Sequence, residues 1–187
     1  MNVAKGDAEI IGRLKSGDDP ALLFDSIIER YSERLYWHIR RIVVRHEEAE
    51  DILQECFITA YTKISDFRGE RESSLKAWLY KIATVLSIKA LRRMRRTIFA
   101  SIDSVRNELL TVFEDEIAPD ADEIAIKLQR AVIDLPTKQR LVFNLRYFDE
   151  LPFEEISQIT GQSVSTLKTN YHFAVKRVKS QVTTIEI

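Results

Sequence analysis

The chain has 187 residues, 45% of them hydrophobic, and its 28 Lys and Arg are balanced by 29 Asp and Glu, so its overall charge indicates no general affinity for nucleic acid. The one cysteine, Cys56, excludes an internal disulfide and a multi-cysteine zinc site. No apolar run approaches the roughly 18 to 20 residues of a membrane span, and the N-terminus lacks the apolar core of a secretory signal, so we expect a cytoplasmic protein. Few Gly and Pro, with apolar residues at helical spacing, favour an all-α fold.

The first predicted helices follow residue 20. The segment "PALLFDSIIERYSERLYWHIRRIVV" supplies one or two of them. Apolar residues then recur at i, i+3, i+4 and i+7, which predicts an amphipathic helix with a buried stripe formed by Ala49, Ile52, Leu53, Cys56, Phe57, Ala60, Tyr61 and Ile64. Its opposite face carries Asp51, Gln54 and Glu55. The pattern alone favours a solvated acidic face for these three side chains.

A second amphipathic helix is predicted from about Ser74 to Arg96, and it ends in "KALRRMRR", with five positive charges and no negative one. Cations and aromatic side chains on one helix can bind opened DNA, through phosphates and base stacking. Trp78 lies on the apolar stripe, so a place in the core is at least as good an interpretation as stacking. Tyr80 lies off that stripe and is expected to face outward.

An acidic segment separates two helical modules. Between Glu108 and Glu123 there are seven acidic residues and no basic one, interrupted by "APDAD". Such composition is typical of a linker. The sequence therefore predicts two small helical domains, residues 1–97 and 122–187, joined by an acidic linker at 98–121.

The second module contains a helix-turn-helix pattern. The segment "LPFEEISQIT" predicts a short helix, Gly161 fits a turn that needs positive φ, and Ser163 is placed to cap a helix from Val164. On that last helix the apolar residues fall within an arc of about 100°. The other side presents Ser165, Thr169, His172, Phe173 and Lys176, and no acid occurs from residue 156 to 185. DNA reading needs such a face, so it is favoured over a merely solvated helix.

Other chemistry is not indicated. His38, His46 and His172 are scattered and lack a cysteine cluster, so we expect no metal site. No phosphate-binding "GxxxxGK" loop occurs, and no catalytic constellation is visible. We expect neither an enzyme, nor a cofactor, nor a small-molecule substrate.

The segments "AEDILQECFITAYTKISDFRG", "WLYKIA", "ALRRMRR" and "LPTKQRLVFNLRYFDELPFEEISQITGQSVSTLKTNYHFAVKRVK", in this order, resemble an extracytoplasmic-function (ECF) sigma factor of the sigma-70 family. The resemblance covers most of residues 20 to 180. It implies a bacterial factor that binds core RNA polymerase, at its clamp and flap regions, and directs promoter-specific transcription initiation. It also implies an anti-sigma protein as a partner, often membrane-anchored.

The first module then corresponds to sigma region 2. The match to "D-x-x-Q-E" makes Asp51, Gln54 and Glu55 candidate polymerase contacts, which reverses the preference for a solvated face. The resemblance also implies that eight residues lie near the minus 10 element of the promoter: Arg68, Tyr80, Lys81, Val85, Arg92, Arg93, Arg95 and Arg96.

The second module corresponds to sigma region 4, whose recognition helix enters the major groove of the minus 35 element. Residues at matching positions are Ser165, Thr166, Lys168, Thr169, His172, Phe173 and Lys176.

Three positions depart from the family pattern. Val85 and Lys89 replace a common Asn and Asp, and Phe173 stands where many relatives have Arg. A valine cannot make the hydrogen bonds of an amide, so the promoter sequence cannot be transferred from relatives.

Two other functions remain open from sequence: a stand-alone helix-turn-helix regulator with a sensing or dimerising N-terminal module, and a helical adaptor for an acidic protein. A further hypothesis is that the acidic linker folds back on the basic surfaces and suppresses DNA binding.

Overall fold

The structure is a computed structural model that describes residues 6–64, 67, 72–97, 102–115 and 122–183. All regular secondary structure in these ranges is helical, which confirms the predicted all-α class. The helices are α1 (Asp7–Lys15), α2 (Pro20–Val43), α3 (His46–Lys63), α4 (Glu72–Thr97), α5 (Ile102–Asp115), α6 (Glu123–Ile133), α7 (Thr137–Phe143), α8 (Phe153–Thr160) and α9 (Val164–Thr183). A π-helical segment, Asn144–Phe148, continues α7.

Side-chain caps start several helices where the sequence has a short polar residue. The Asp19 carboxylate accepts the N–H of Ala21 at 2.9 Å at the start of α2. Asp122 accepts the N–H of Ile124 at 3.0 Å before α6. Each cap satisfies a backbone donor that has no partner within the helix, and so fixes where the helix begins.

The first module is a bundle in which α2, α3 and α4 pack against one another. Its core is built from the apolar stripes of the three helices, with Leu35, Ile39, Cys56, Leu75 and Leu79 fully buried. The long segment 20–43 forms one helix rather than two.

The short helix α1 packs against α4. Ile10 is fully buried, and the nearly buried carboxylate of Asp7 accepts a hydrogen bond from the Tyr31 hydroxyl and forms an ion pair with Arg30, with 2.8 Å between Nε and Oδ1. Burial and the hydrogen bond to Asp7 raise the pKa of Tyr31. These contacts hold the N-terminal segment on the bundle.

The predicted acidic linker contains a helix. Its middle part is α5, which contacts α4 and α6, buries Leu109, and places Glu114 3.2 Å from Arg130 on α6. Residues 98–101 and 116–121 of the predicted linker lie outside the described residues. Helix α4 ends at Thr97, and helix α6 begins at Glu123.

The second module is formed by α6 to α9, and α8 and α9 make the predicted helix-turn-helix. Gly161 ends α8 with φ 71°, and its N–H donates to the carbonyl of Ser157 at 2.8 Å. At the start of α9 the Ser163 hydroxyl accepts the N–H of Thr166 at 3.2 Å, as the sequence predicts.

The two modules pack against each other. Helix α8 lies against α4, and the π-helical segment lies against α2. Apolar side chains of the second module join the core cluster of the first, among them Val142, Leu145, Leu151, Ile156 and Ile159. The amphipathic patterns do not show this joint core, because a helical period marks which side of a helix is buried but not which element covers it.

Candidate polymerase- and DNA-binding surfaces

The predicted polymerase-binding face lies on α3. Asp51, Gln54 and Glu55 are all exposed, while Ile52 and Cys56 point into the core. The period of the helix thus separates three polar side chains from the buried stripe.

Two apolar side chains extend this face, and the sequence pattern misses them. Ile58, one turn after Glu55, is 65% exposed. Tyr61, which the stripe pattern predicts to be buried, is 48% exposed, and its ring packs edge-on against Phe24 at 5.1 Å between centroids. The reason is that α2 covers only part of the wide stripe, so its edge remains open to solvent.

The predicted minus 35 residues lie together on α9. All seven are exposed: Ser165, Thr166, Lys168, Thr169, His172, Phe173 and Lys176. Leu167, Ala174 and Val178 are buried on the opposite side of the helix. The outward polar and basic surface predicted from the spacing is therefore present.

Phe173 is the apolar member of that surface. Its side chain is 50% exposed, and its ring lies 5.9 Å from that of His172. Nearby, the Lys168 ammonium lies 5.9 Å above the Phe153 ring of α8. Lys168 and His172 thus each lie beside an aromatic ring.

Hydrogen bonds across the turn set the position of α9 relative to α8. The Ser157 hydroxyl donates to the carbonyl of Gln162 at 2.7 Å, and the Asn170 amide donates to the Gln162 side chain at 3.4 Å. Sequence reasoning does not single out Gln162 or Asn170. Their contribution depends on the turn geometry that Gly161 creates.

The predicted minus 10 residues differ in their exposure to solvent. Lys81, Val85, Arg92 and Arg93 are exposed along α4, with Val85 at 55%. Arg68 lies outside the described residues, as do the side chains of Arg95 and Arg96.

Tyr80 corrects the expectation of an outward-facing aromatic side chain, since it is only 2% exposed. Its ring lies 4.9 Å from that of His38 and near the ammonium of Lys76. Burial, and to a lesser degree the charge of Asp149, raise its pKa. Tyr80 lies off the apolar stripe of its own helix, and it lines a cavity together with residues 148–150 of the second module.

Trp78 is partly buried and packs against Phe67, with 5.2 Å between ring centroids. This position supports its interpretation as a core residue. Among the described residues no group of three His, Cys, Asp or Glu could hold a metal ion. Within the same residues, no helix combines the length and the apolar character needed to cross a bilayer.

The geometry defines a class of protein: a helical bundle with an exposed acidic face, joined to a helix-turn-helix whose second helix, α9, carries no acidic residue. Comparisons with known proteins identify the family. Residues 27–97 match Sigma-70 region 2, and residues 125–178 match Sigma-70, region 4.

Characterised relatives match nearly the full length. The chain is 33% identical to the ECF RNA polymerase sigma factor SigW of Bacillus subtilis (strain 168), over 92% of this chain and 94% of the relative. It is 28% identical to the ECF RNA polymerase sigma-E factor of Haemophilus influenzae, over 94% of this chain and 95% of the relative. The chain therefore belongs to the ECF sigma factors of the sigma-70 family. It binds core RNA polymerase and directs promoter-specific transcription initiation.

Two solved structures share the fold. The sigma factor RpoE of Bartonella quintana, in complex with the anti-sigma factor NepR, superposes with a TM-score of 0.67 at 18% identity, covering 88% of this chain and 98% of that one. CnrH, in complex with the cytosolic domain of CnrY, superposes with a TM-score of 0.68 at 20% identity, covering 96% of this chain and 99% of that one.

Proposed function

We propose that three surfaces of this sigma factor carry its separate contacts. The α3 face with Asp51, Gln54 and Glu55 docks on the polymerase clamp, the outer face of α9 binds the minus 35 element, and α4 binds the minus 10 element. The observation that carries this assignment is the exposure of the α3 and α9 faces on the sides of their helices opposite the core. The second module also contacts the polymerase flap.

Binding to the minus 35 element divides between two kinds of contact. Lys168 and Lys176 neutralise phosphates, which sets affinity and its salt dependence. Thr169 and His172 reach base edges, and Phe173 lies against a thymine methyl group, since an apolar side chain gains nothing from a phosphate. This last contact would give the protein a promoter preference different from that of relatives with Arg at that position.

On the minus 10 side, Lys81, Arg92 and Arg93 supply cations along α4, and Val85 presents an exposed apolar side chain. A valine can pack against a base but cannot hold it by hydrogen bonds. We therefore infer that recognition of the minus 10 element relies on phosphate contacts and stacking more than on hydrogen bonds at residue 85.

The protein itself catalyses no reaction, because its role is to give promoter specificity to the polymerase that performs the chemistry. It acts in the cytoplasm, where polymerase and promoters are found. An anti-sigma protein is its regulatory partner. RpoE and CnrH, which share its fold, were solved with NepR and with the cytosolic domain of CnrY.

Run-off transcription with purified core polymerase on genomic promoter fragments tests this function. We expect a defined product that requires the protein. The Lys168→Glu variant should lose the product, while Lys15→Glu, with the same charge change on the exposed surface of α1, should keep it. Absence of a promoter-specific product at every salt concentration would refute the proposal. Tight duplex binding without polymerase would instead indicate a stand-alone regulator.

A further inference from the structure

A buried polar network joins the two modules. Asp149, which follows the π-helical segment, has a side chain only 4% exposed. One carboxylate oxygen lies 2.8 Å from Nδ1 of the fully buried His38, and the other accepts a hydrogen bond from Arg41 at 3.1 Å. The second nitrogen of His38 is hydrogen-bonded to the Thr84 hydroxyl at 2.9 Å. One carboxylate of the second module thus contacts α2 directly and α4 through a histidine.

Two neighbouring contacts add to this interface between the modules. The Arg41 guanidinium lies 4.5 Å over the ring of Phe148, a cation–π geometry. The buried Asn144 amide donates to the Arg41 carbonyl at 3.4 Å. Beside them is a cavity of ≈ 470 Å³ whose wall includes Arg34, Trp37, Lys76, Tyr80 and Glu150.

The covered part of the first module has the chemistry of a single-stranded DNA site. Arg41 and Lys76 are cations that could contact phosphates, and Tyr80 is an aromatic side chain on which a base could stack. In this structure the Asp149 carboxylate pairs with Arg41, the contact that a phosphate would make, and the Phe148 ring lies against the same guanidinium. DNA and the 148–150 segment therefore cannot bind there together.

We propose that residues 148–150 form an intramolecular plug, held by Asp149, that covers the part of the minus 10 surface around Tyr80 in the free protein and must leave before promoter DNA binds there. This rests on the proposed function for the identity of the DNA. The polymerase-binding face and the α9 face remain exposed while the plug is in place. Polymerase can therefore dock first and DNA can bind after the modules separate. Masking by this segment is distinct from masking by the acidic linker.

Asp149→Asn tests the plug in the full-length protein. The substitution keeps the shape of the side chain but removes the charge that pairs with Arg41. The matched control is Glu150→Gln, which removes one charge at the next residue, an exposed position of the same cavity wall. Small-angle scattering reports whether the modules separate, and fluorescence anisotropy reports binding of a labelled oligothymidylate.

We expect Asp149→Asn to increase the radius of gyration and to bind oligothymidylate about tenfold more tightly, since a larger fraction of molecules is open. Glu150→Gln should match the wild type in radius. If Asp149→Asn does not fold, Arg41→Gln breaks the same pair from the other module and should also expand the protein. A radius and affinity equal to wild type in a folded variant overturn the plug. Scattering does not depend on polymerase, so loss of transcription with an expanded variant would count against the proposed function alone.

Discussion

Gly161 closes the turn of the helix-turn-helix, and its replacement by Ala tests whether that turn has the conformation described. With φ at 71°, an L residue there costs about 1–2 kcal/mol. A Cβ at this position meets nothing within 4 Å, so no clash adds to the strain. The lower entropy of the unfolded chain offsets about 0.4–1 kcal/mol, which leaves a net loss of about 1 kcal/mol for Gly161→Ala.

Urea unfolding followed by far-ultraviolet circular dichroism measures this loss. Gly161→Asn is the matched variant, because Asn tolerates the left-handed region better than Ala. We expect stability in the order Gly, Asn, Ala. An Ala variant as stable as the wild type, or an Asn variant less stable than Ala, would show that the turn is not left-handed in solution.

Four other predictions concern single features. Asp51→Arg combined with Gln54→Ala should weaken polymerase binding in a pull-down with core enzyme. The free energy of unfolding should change by no more than about 0.5 kcal/mol, because both side chains are exposed. Unchanged binding would show that α3 is not the docking face. Cys56 is fully buried, and burial raises its pKa to about 12, so iodoacetamide should label it only as fast as the protein unfolds. Burial raises the pKa of Glu155 above its usual range, and one of its oxygens is buried without a hydrogen-bond partner among the described residues. The ionised form therefore destabilises the folded protein at neutral pH, so Glu155→Gln should stabilise the protein at pH 7. The gain in stability should vanish as pH falls below the unfolded pKa of about 4.3. An equal gain above and below that pKa, measured by urea unfolding, would contradict this. Replacing the contacted thymine by uracil, which removes only the methyl group, should lower promoter affinity for the wild type but not for Phe173→Ala.

Much of the α9 surface could be predicted from the sequence because its signals are local. The helical period separates Leu167 and Ala174 from Lys168 and His172, whatever the helix packs against. Gly161 and Ser163 mark a turn and a cap because few residue types satisfy those backbone positions. Tyr61 shows the limit of such patterns, since the width of an apolar stripe does not reveal how much of it a neighbouring helix covers.

The sequence by itself determined the helical class, the order of the two modules and the outward face of α9, since these follow from periodicity, caps and charge along short stretches. The tertiary structure alone decided that Tyr80 is buried and that His38, Arg41 and Asp149 meet. Asp149 lies 111 residues from His38 and 108 residues from Arg41 along the chain. No local pattern encodes such a contact, because it arises only when α8 packs on α4 and brings the end of the π-helical segment to α2.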